Sequence, residues 1–122
     1  MKFTCVVLNM DGQPDAAGDV FDASSQIEIA KDVKVTNDFQ NRGFDEAFLG
    51  TAKLTVEEKC IKAEIDIKVD NIPEEVLKGL TPAIGGSVLE RDGNTVKKCK
   101  INQIGLSISG NADPRIKKLG EQ

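Results

Sequence analysis

In the stretch Lys59-Cys60-Ile61-Lys62-Ala63-Glu64-Ile65-Asp66-Ile67-Lys68-Val69-Asp70, apolar and charged side chains alternate strictly from Ile61 onward. Ile61, Ala63, Ile65, Ile67 and Val69 fall on one side; Lys62, Glu64, Asp66, Lys68 and Asp70 fall on the other. Successive residues of a strand point to opposite faces, so period two over ten residues predicts a long strand with one buried and one wet face. A helix would scatter the same residues around its whole circumference.

Working outward, the neighbouring segments follow the same pattern. Phe3 to Leu8 is a strand candidate, followed by a turn-rich stretch from Asn9 to Asp22 with Asp-Gly, Gln-Pro and Gly-Asp steps. Ser25 to Ala30, Val33 to Thr36, and Gly50 to Glu57 read as strands, the last with Ala52, Leu54 and Val56 on one face. Asn37 to Gly43 breaks into a polar loop. After the long strand, Pro73, Glu74 and Glu75 open a short helix in which Ile72, Val76, Leu77 and Leu80 share a face, with Gly79 and Pro82 ending it. Ser87 to Glu90, the turn Arg91-Asp92-Gly93-Asn94, and Thr95 to Ser109 form a hairpin. Asn111 to Gln122 reads as a short helix or a frayed tail. Six or seven strands and one helix in 122 residues, with no repeat or linker, predict one mainly β domain over 1–122. Its sheet is expected to form a β-barrel or a strongly curved sheet, which removes exposed edges.

Composition narrows the function. The chain is 39% hydrophobic and 30% charged, enough for a core and a solvated surface. Five Phe and no Trp or Tyr leave the core to Val, Ile and Leu, whose β-branched members favour strands. A net charge of −4, with few aromatics, argues against a nucleic-acid partner. Lys97, Lys98 and Lys100, and the pair Lys117 and Lys118, read as solvated surface. No apolar run reaches the ~20 residues that span a bilayer, and the N-terminal run reads as a strand, so no membrane role is expected. Cys5, Cys60 and Cys99 sit apart in apolar surroundings and read as buried thiols in a reducing, intracellular compartment. With no histidine, a zinc site has almost no ligands to draw on.

Two constellations invite chemistry. Asp11, Asp15 and Asp19 recur every four residues, but lack the order of a calcium loop and read as turn formers, so no metal or other cofactor is expected. Gly85-Gly86-Ser87 places a hydroxyl after two glycines whose N–H groups suit an oxyanion hole. A serine needs a base to lose its proton, usually a histidine, and the chain has none. Lys53 and Lys78 remain as bases for a Ser–Lys pair, though no spacing singles either out. The plain reading is a Gly-Gly bend entering a strand.

The order of these pieces resembles the prohead (capsid maturation) protease family of tailed bacteriophages, related in fold to the herpesvirus assembly proteases. Asp15-Ala16-Ala17-Gly18-Asp19-Val20-Phe21 is similar to the family's D-x-x-G-D segment, and Thr36-Asn37-Asp38 to its N-H-D motif. Phe48-Leu49-Gly50-Thr51-Ala52 looks like the I-G-x-A strand that follows. Leu77-Lys78-Gly79-Leu80, then Ile84-Gly85-Gly86-Ser87-Val88, is similar to the helix and G-L-S-I-G nucleophile strand. Ile104-Gly105-Leu106-Ser107-Ile108 with Asn111-Ala112 resembles the closing E-V-S-L-V…P-A-N motif.

Carried over position by position, the resemblance implies that Ser87 stands where the nucleophile stands, Asn37 replaces the catalytic histidine, and Gly105 replaces the acidic third member. Asn accepts no proton near neutral pH and Gly has no side chain to orient a base. Loss of a base costs several orders of magnitude in rate. The resemblance therefore implies a fold kept without its proteolysis, in a phage or prophage protein of the host cytoplasm or the virion. Its expected partner is a capsid protein or another copy of itself. Two alternatives stand beside it: a small head or tail module unrelated to proteases, and a serine hydrolase with an unconventional base. If the resemblance holds, Ser87, Asn37 and Gly105 converge in space.

Overall fold

The computed structural model describes residues 1–37 and 47–122. Asp38, the last residue of the N-H-D-like motif, and most of the predicted 37–43 loop lie outside the described residues. The chain runs β1 (Lys2–Asn9), β2 (Gln26–Asn37), β3 (Ala47–Val56), β4 (Cys60–Ile67), α1 (Glu74–Lys78), β5 (Thr81–Asp92), β6 (Thr95–Ser107) and a closing 3-10 turn at Leu119–Glu121. The six strands form one sheet in the order β1-β4-β3-β2-β6-β5, antiparallel throughout except for the parallel pair β2 and β6. The fold is mainly β, a mixed sheet curled into a half-barrel with one short helix.

The alternating segment sits where its pattern demands. β4 lies between β1 and β3, with Ile65 opposite Phe3 on one side and Ala52 on the other. Ile61, Ala63, Ile65 and Ile67 are buried, while Lys62, Glu64 and Lys68 are exposed. Burying each such isoleucine contributes about 1.5–3 kcal/mol, and a one-residue slip would turn the whole set to water. The strand stops at Ile67, short of the predicted Asp70, although the Lys68 amide still donates to the Leu49 carbonyl at 2.8 Å. Beyond that bond the chain leaves the sheet for the helix.

Irregular rungs produce the curl. The two predicted strands at 25–30 and 33–36 are one strand, β2, whose pairing with β6 shifts register between Ile29 and Lys34. The β5–β6 ladder shifts between Gly85 and Gly86, between Val88 and Glu90, and between Glu90 and Arg91. Each extra residue bends its strand and raises the local twist. Close backbone approach accompanies the bend: an ideal Cβ on Gly86 would stand 1.8 Å from the Lys100 carbonyl oxygen, so only a hydrogen fits there.

The hairpin turn is tighter than its sequence suggested. Asp92 pairs with Thr95, so the connection is Gly93-Asn94 alone, with Gly93 at φ 60°. The helix is five residues long, capped by Pro73 in extended conformation rather than begun by it. Leu77 and the following Leu80 are buried, but Val76, predicted for the same face, is exposed, because a single turn presents only one side to the core.

The two end strands approach each other without sharing a ladder, which leaves a seam. Residues 111–122 cross it. Asn111 Nδ2 donates to the Pro82 carbonyl on β5, the Leu119 amide donates to the Leu80 carbonyl, and Gln122 Oε1 accepts from the Val6 amide on β1. Ile116 and Leu119 are buried beneath this strap. The predicted helix or frayed tail is instead a tied segment that satisfies polar groups at two free sheet edges.

Candidate functional site

Ser87 lies on the edge strand β5, directly opposite Lys100 on β6, and Lys100 pairs in turn with Glu28 on β2. Residues paired directly across a sheet share a face. The flanking partners Cys99 and Ile101 are buried, whereas Lys100 is exposed. Ser87 therefore shares the face of exposed Lys100, and it is itself exposed.

Gly105 pairs with Ala83 and Thr36, four residues back along β5 from Ser87, or about 13 Å at roughly 3.3 Å per residue. Asn37 pairs with Leu106, whose other partner is Pro82, five residues from Ser87 and about 16 Å along the strand. Leu106 is a core residue, so Asn37 shares the concave face, opposite to that of Ser87. Asn37 and Gly105 thus occupy adjacent rungs, while Ser87 stands apart from both.

No hydrogen bond to the Ser87 hydroxyl is found among the described residues. Lys53 on β3 pairs opposite Glu64 on β4, and Lys78 lies on the helix, 3.6 Å from Glu74. Neither stands on the hairpin that carries Ser87. The lysine across from Ser87 is Lys100, which the sequence reading placed in a solvated cluster. Its partnership was legible in the hairpin: Ser87 lies five residues before Asp92, and Lys100 five after Thr95, once the turn is set at Gly93-Asn94. A lysine that acts as a base is held in a desolvating pocket, and Lys100 is exposed.

A cleft of about 250 Å³ follows the seam beside this strand. Val7, Leu8, Phe21 and Ile84 line it, Gly85, Gly86, Ser87 and Lys100 form part of its wall, and Asp15 and Asp19 border it. Both carboxylates are already engaged, one in a turn and one in an ion pair. Asp15 Oδ1 accepts from the amides of Ala17 at 2.9 Å and Asp19 at 3.0 Å, and Asp19 is ion-paired with Arg91 at 2.7 Å. Asp11 pairs instead with Arg115. The acidic repeat is thus dispersed, and no group of metal-ligating side chains is found among the described residues.

The most connected polar cluster went unseen in the sequence. Arg115 donates through Nε to Asp113 Oδ1 at 3.0 Å and through Nη2 to Asp11 Oδ1 at 3.2 Å, while Asn9 Nδ2 donates to Asp113 Oδ2 at 2.9 Å. Burial pushes the Asp113 carboxyl up, but the bonds from Arg115 and Asn9 more than offset it and hold it below the ordinary carboxylate range. The bond from Arg115 likewise lowers the Asp11 carboxyl. Asn111-Ala112-Asp113 carries a local turn signature, with Asn111 Oδ1 accepting from the Asp113 amide. Nothing in the local pattern points to Asp11, 104 residues away. The cluster ties the strap to the loop after β1 and has no reacting group.

Cys5 and Cys99 are buried, and burial pushes the Cys5 thiol up to about 12 and raises that of Cys99. Thiols so shifted carry almost no thiolate near neutral pH. Among the described residues, no helix is long and apolar enough to cross a membrane. Comparison with family models, with curated proteins and with solved structures found no match to this chain.

Proposed function

We propose that this chain is a non-catalytic relative of the prohead proteases, a phage or prophage structural protein that works by binding. Its partner is a capsid protein or another copy of itself. The reading draws its family from the order of the D-x-x-G-D-like, I-G-x-A-like and Gly-Gly-Ser segments. One observation carries the absence of catalysis: Ser87 sits exposed on a hairpin, opposite an exposed lysine, in a chain without histidine. A hydroxyl in that setting has no partner to accept its proton in a transition state.

A second reading, a small head or tail module unrelated to proteases, is favoured by the separation of Ser87 from Asn37 and Gly105 across rungs and faces. One pair of measurements tests both. Purified protein is incubated with a serine-directed phosphonate and a capsid-derived peptide, then sedimented with phage shell protein. The expected result is an unlabelled, uncleaving protein that co-sediments with the shell. Stoichiometric labelling lost in Ser87→Ala would overturn the non-catalytic reading and favour a hydrolase with an unconventional base. Lack of co-sedimentation would sink the capsid partnership.

A further inference from the structure

We infer that the C-terminal strap, residues 111–122, is an exchangeable element through which two copies of this chain join, each strap closing the seam of the other. The inference is independent of any role in a capsid.

Beside the direct approach of β1 and β5, the seam is closed by contacts between the strap and the body of the protein. Leu119 and Ile116 are buried, the Leu119 amide bonds to Leu80, Gln122 meets the Val6 amide, and Arg115 clamps Asp11. A second copy's strap makes the same contacts on the same seat, so the complementarity needed for a dimer is already built.

The connection to the strap permits exchange. Only residues 108–110 separate the end of β6 from Asn111, and the chain turns back there with Gly110 at φ 89°. Glycine reaches that backbone region freely, whereas any residue with a Cβ does so at a cost. The hinge therefore straightens without loss and carries β6 onward into the second copy. Short hinges that must bend sharply are the usual sites of such swapping.

Ile108 supplies an independent observation. It is 88% exposed, the most solvent-exposed large apolar side chain of the described residues. In the closed monomer it touches little. In the exchanged dimer the two hinges run antiparallel about the two-fold axis, so each Ile108 covers the other.

The test uses Gly110→Ala, which penalises the bent hinge twice per dimer. The dimerisation constant is expected to rise roughly fivefold per hinge, or on the order of 30-fold. Equal amounts of nitrogen-15-labelled and unlabelled full-length chain are unfolded together, refolded over a range of concentrations, and separated with light-scattering detection. Dimer fractions are then treated with an amine cross-linker. Gly120 lies against Lys78, which places Lys118 within cross-linking reach of it. Exchange predicts Lys78–Lys118 cross-links that join one labelled and one unlabelled peptide. Dimers carrying only same-isotope cross-links overturn the proposal, as does a protein that stays monomeric up to millimolar concentration. If Gly110→Ala does not fold, wild-type chain refolded at the highest concentration gives the same two readings.

Discussion

Replacing Gly86 with alanine puts a methyl group where the β6 backbone already stands. The new Cβ would lie 1.8 Å from the Lys100 carbonyl oxygen, 2.9 Å from its carbonyl carbon and 3.1 Å from Ile101 Cα. Backbone cannot rotate aside as a side chain can, so β5 and β6 must separate by more than 1 Å at this rung, the distance from 1.8 Å to the 3.0 Å contact limit. Overpacking of this kind costs about 1–3 kcal/mol. Two stretched ladder bonds add about 1 kcal/mol each, for a total of about 3–5 kcal/mol. Gly85 is the internal control. Its added Cβ would meet Gln103 Cγ at 3.3 Å, the movable part of a flexible side chain. Reduced freedom of the unfolded chain contributes about 0.4–1 kcal/mol in the other direction, so Gly85→Ala is expected to be nearly neutral. At roughly 4 °C per kcal/mol for a domain of this size, the two melting temperatures differ by about 12–20 °C. With no tryptophan or tyrosine, unfolding is followed by far-ultraviolet circular dichroism in heat and in urea. Equal midpoints for the two variants would refute the assignment of Gly86 to close strand contact. They would reopen its reading as part of an oxyanion hole.

The strap and the thiols give two further tests. Arg115→Ala leaves the carboxylate of Asp113, only 7% exposed, without its guanidinium, at a cost of about 1–3 kcal/mol; lysine, lacking the planar fork, restores little of it. Because the Asp11 and Asp113 carboxyls are lowered in the folded state, their stabilisation is complete above the unfolded value of about 4 and is lost as pH falls through their lower folded values. Urea titrations between pH 5 and 2 should therefore fall more steeply for wild type than for Arg115→Ala, and parallel curves would contradict the clamp. Among the cysteines, half-buried Cys60 should react with a thiol reagent at pH 8 before Cys5 and Cys99, which are released only on unfolding. Rapid modification of Cys5 in folded protein would contradict its burial.

Local pattern alone determined the class of fold and much of its content. Strict alternation from Ile61 to Val69 admits one backbone geometry, and Asp92-Gly93 between two strand patterns signals a hairpin, although pairing of Asp92 with Thr95 narrowed the turn to Gly93-Asn94. The lack of histidine, too, is legible without coordinates, and it constrains the chemistry of Ser87 wherever that residue lies. Tertiary structure decided the rest, because it depends on pairings between distant residues. The parallel ladder of β2 with β6 joins Val35 to Ile104, and no local periodicity reports such a partner. Bulges then displace each rung by whole residues, which sets Ser87 and Asn37 on opposite faces, although the order of their motifs suggested a common site. The strap was the least visible element in the sequence. Its order comes from Arg115 reaching Asp11 and from Leu119 reaching Leu80, contacts that exist only once the sheet has curled and brought its two edges together.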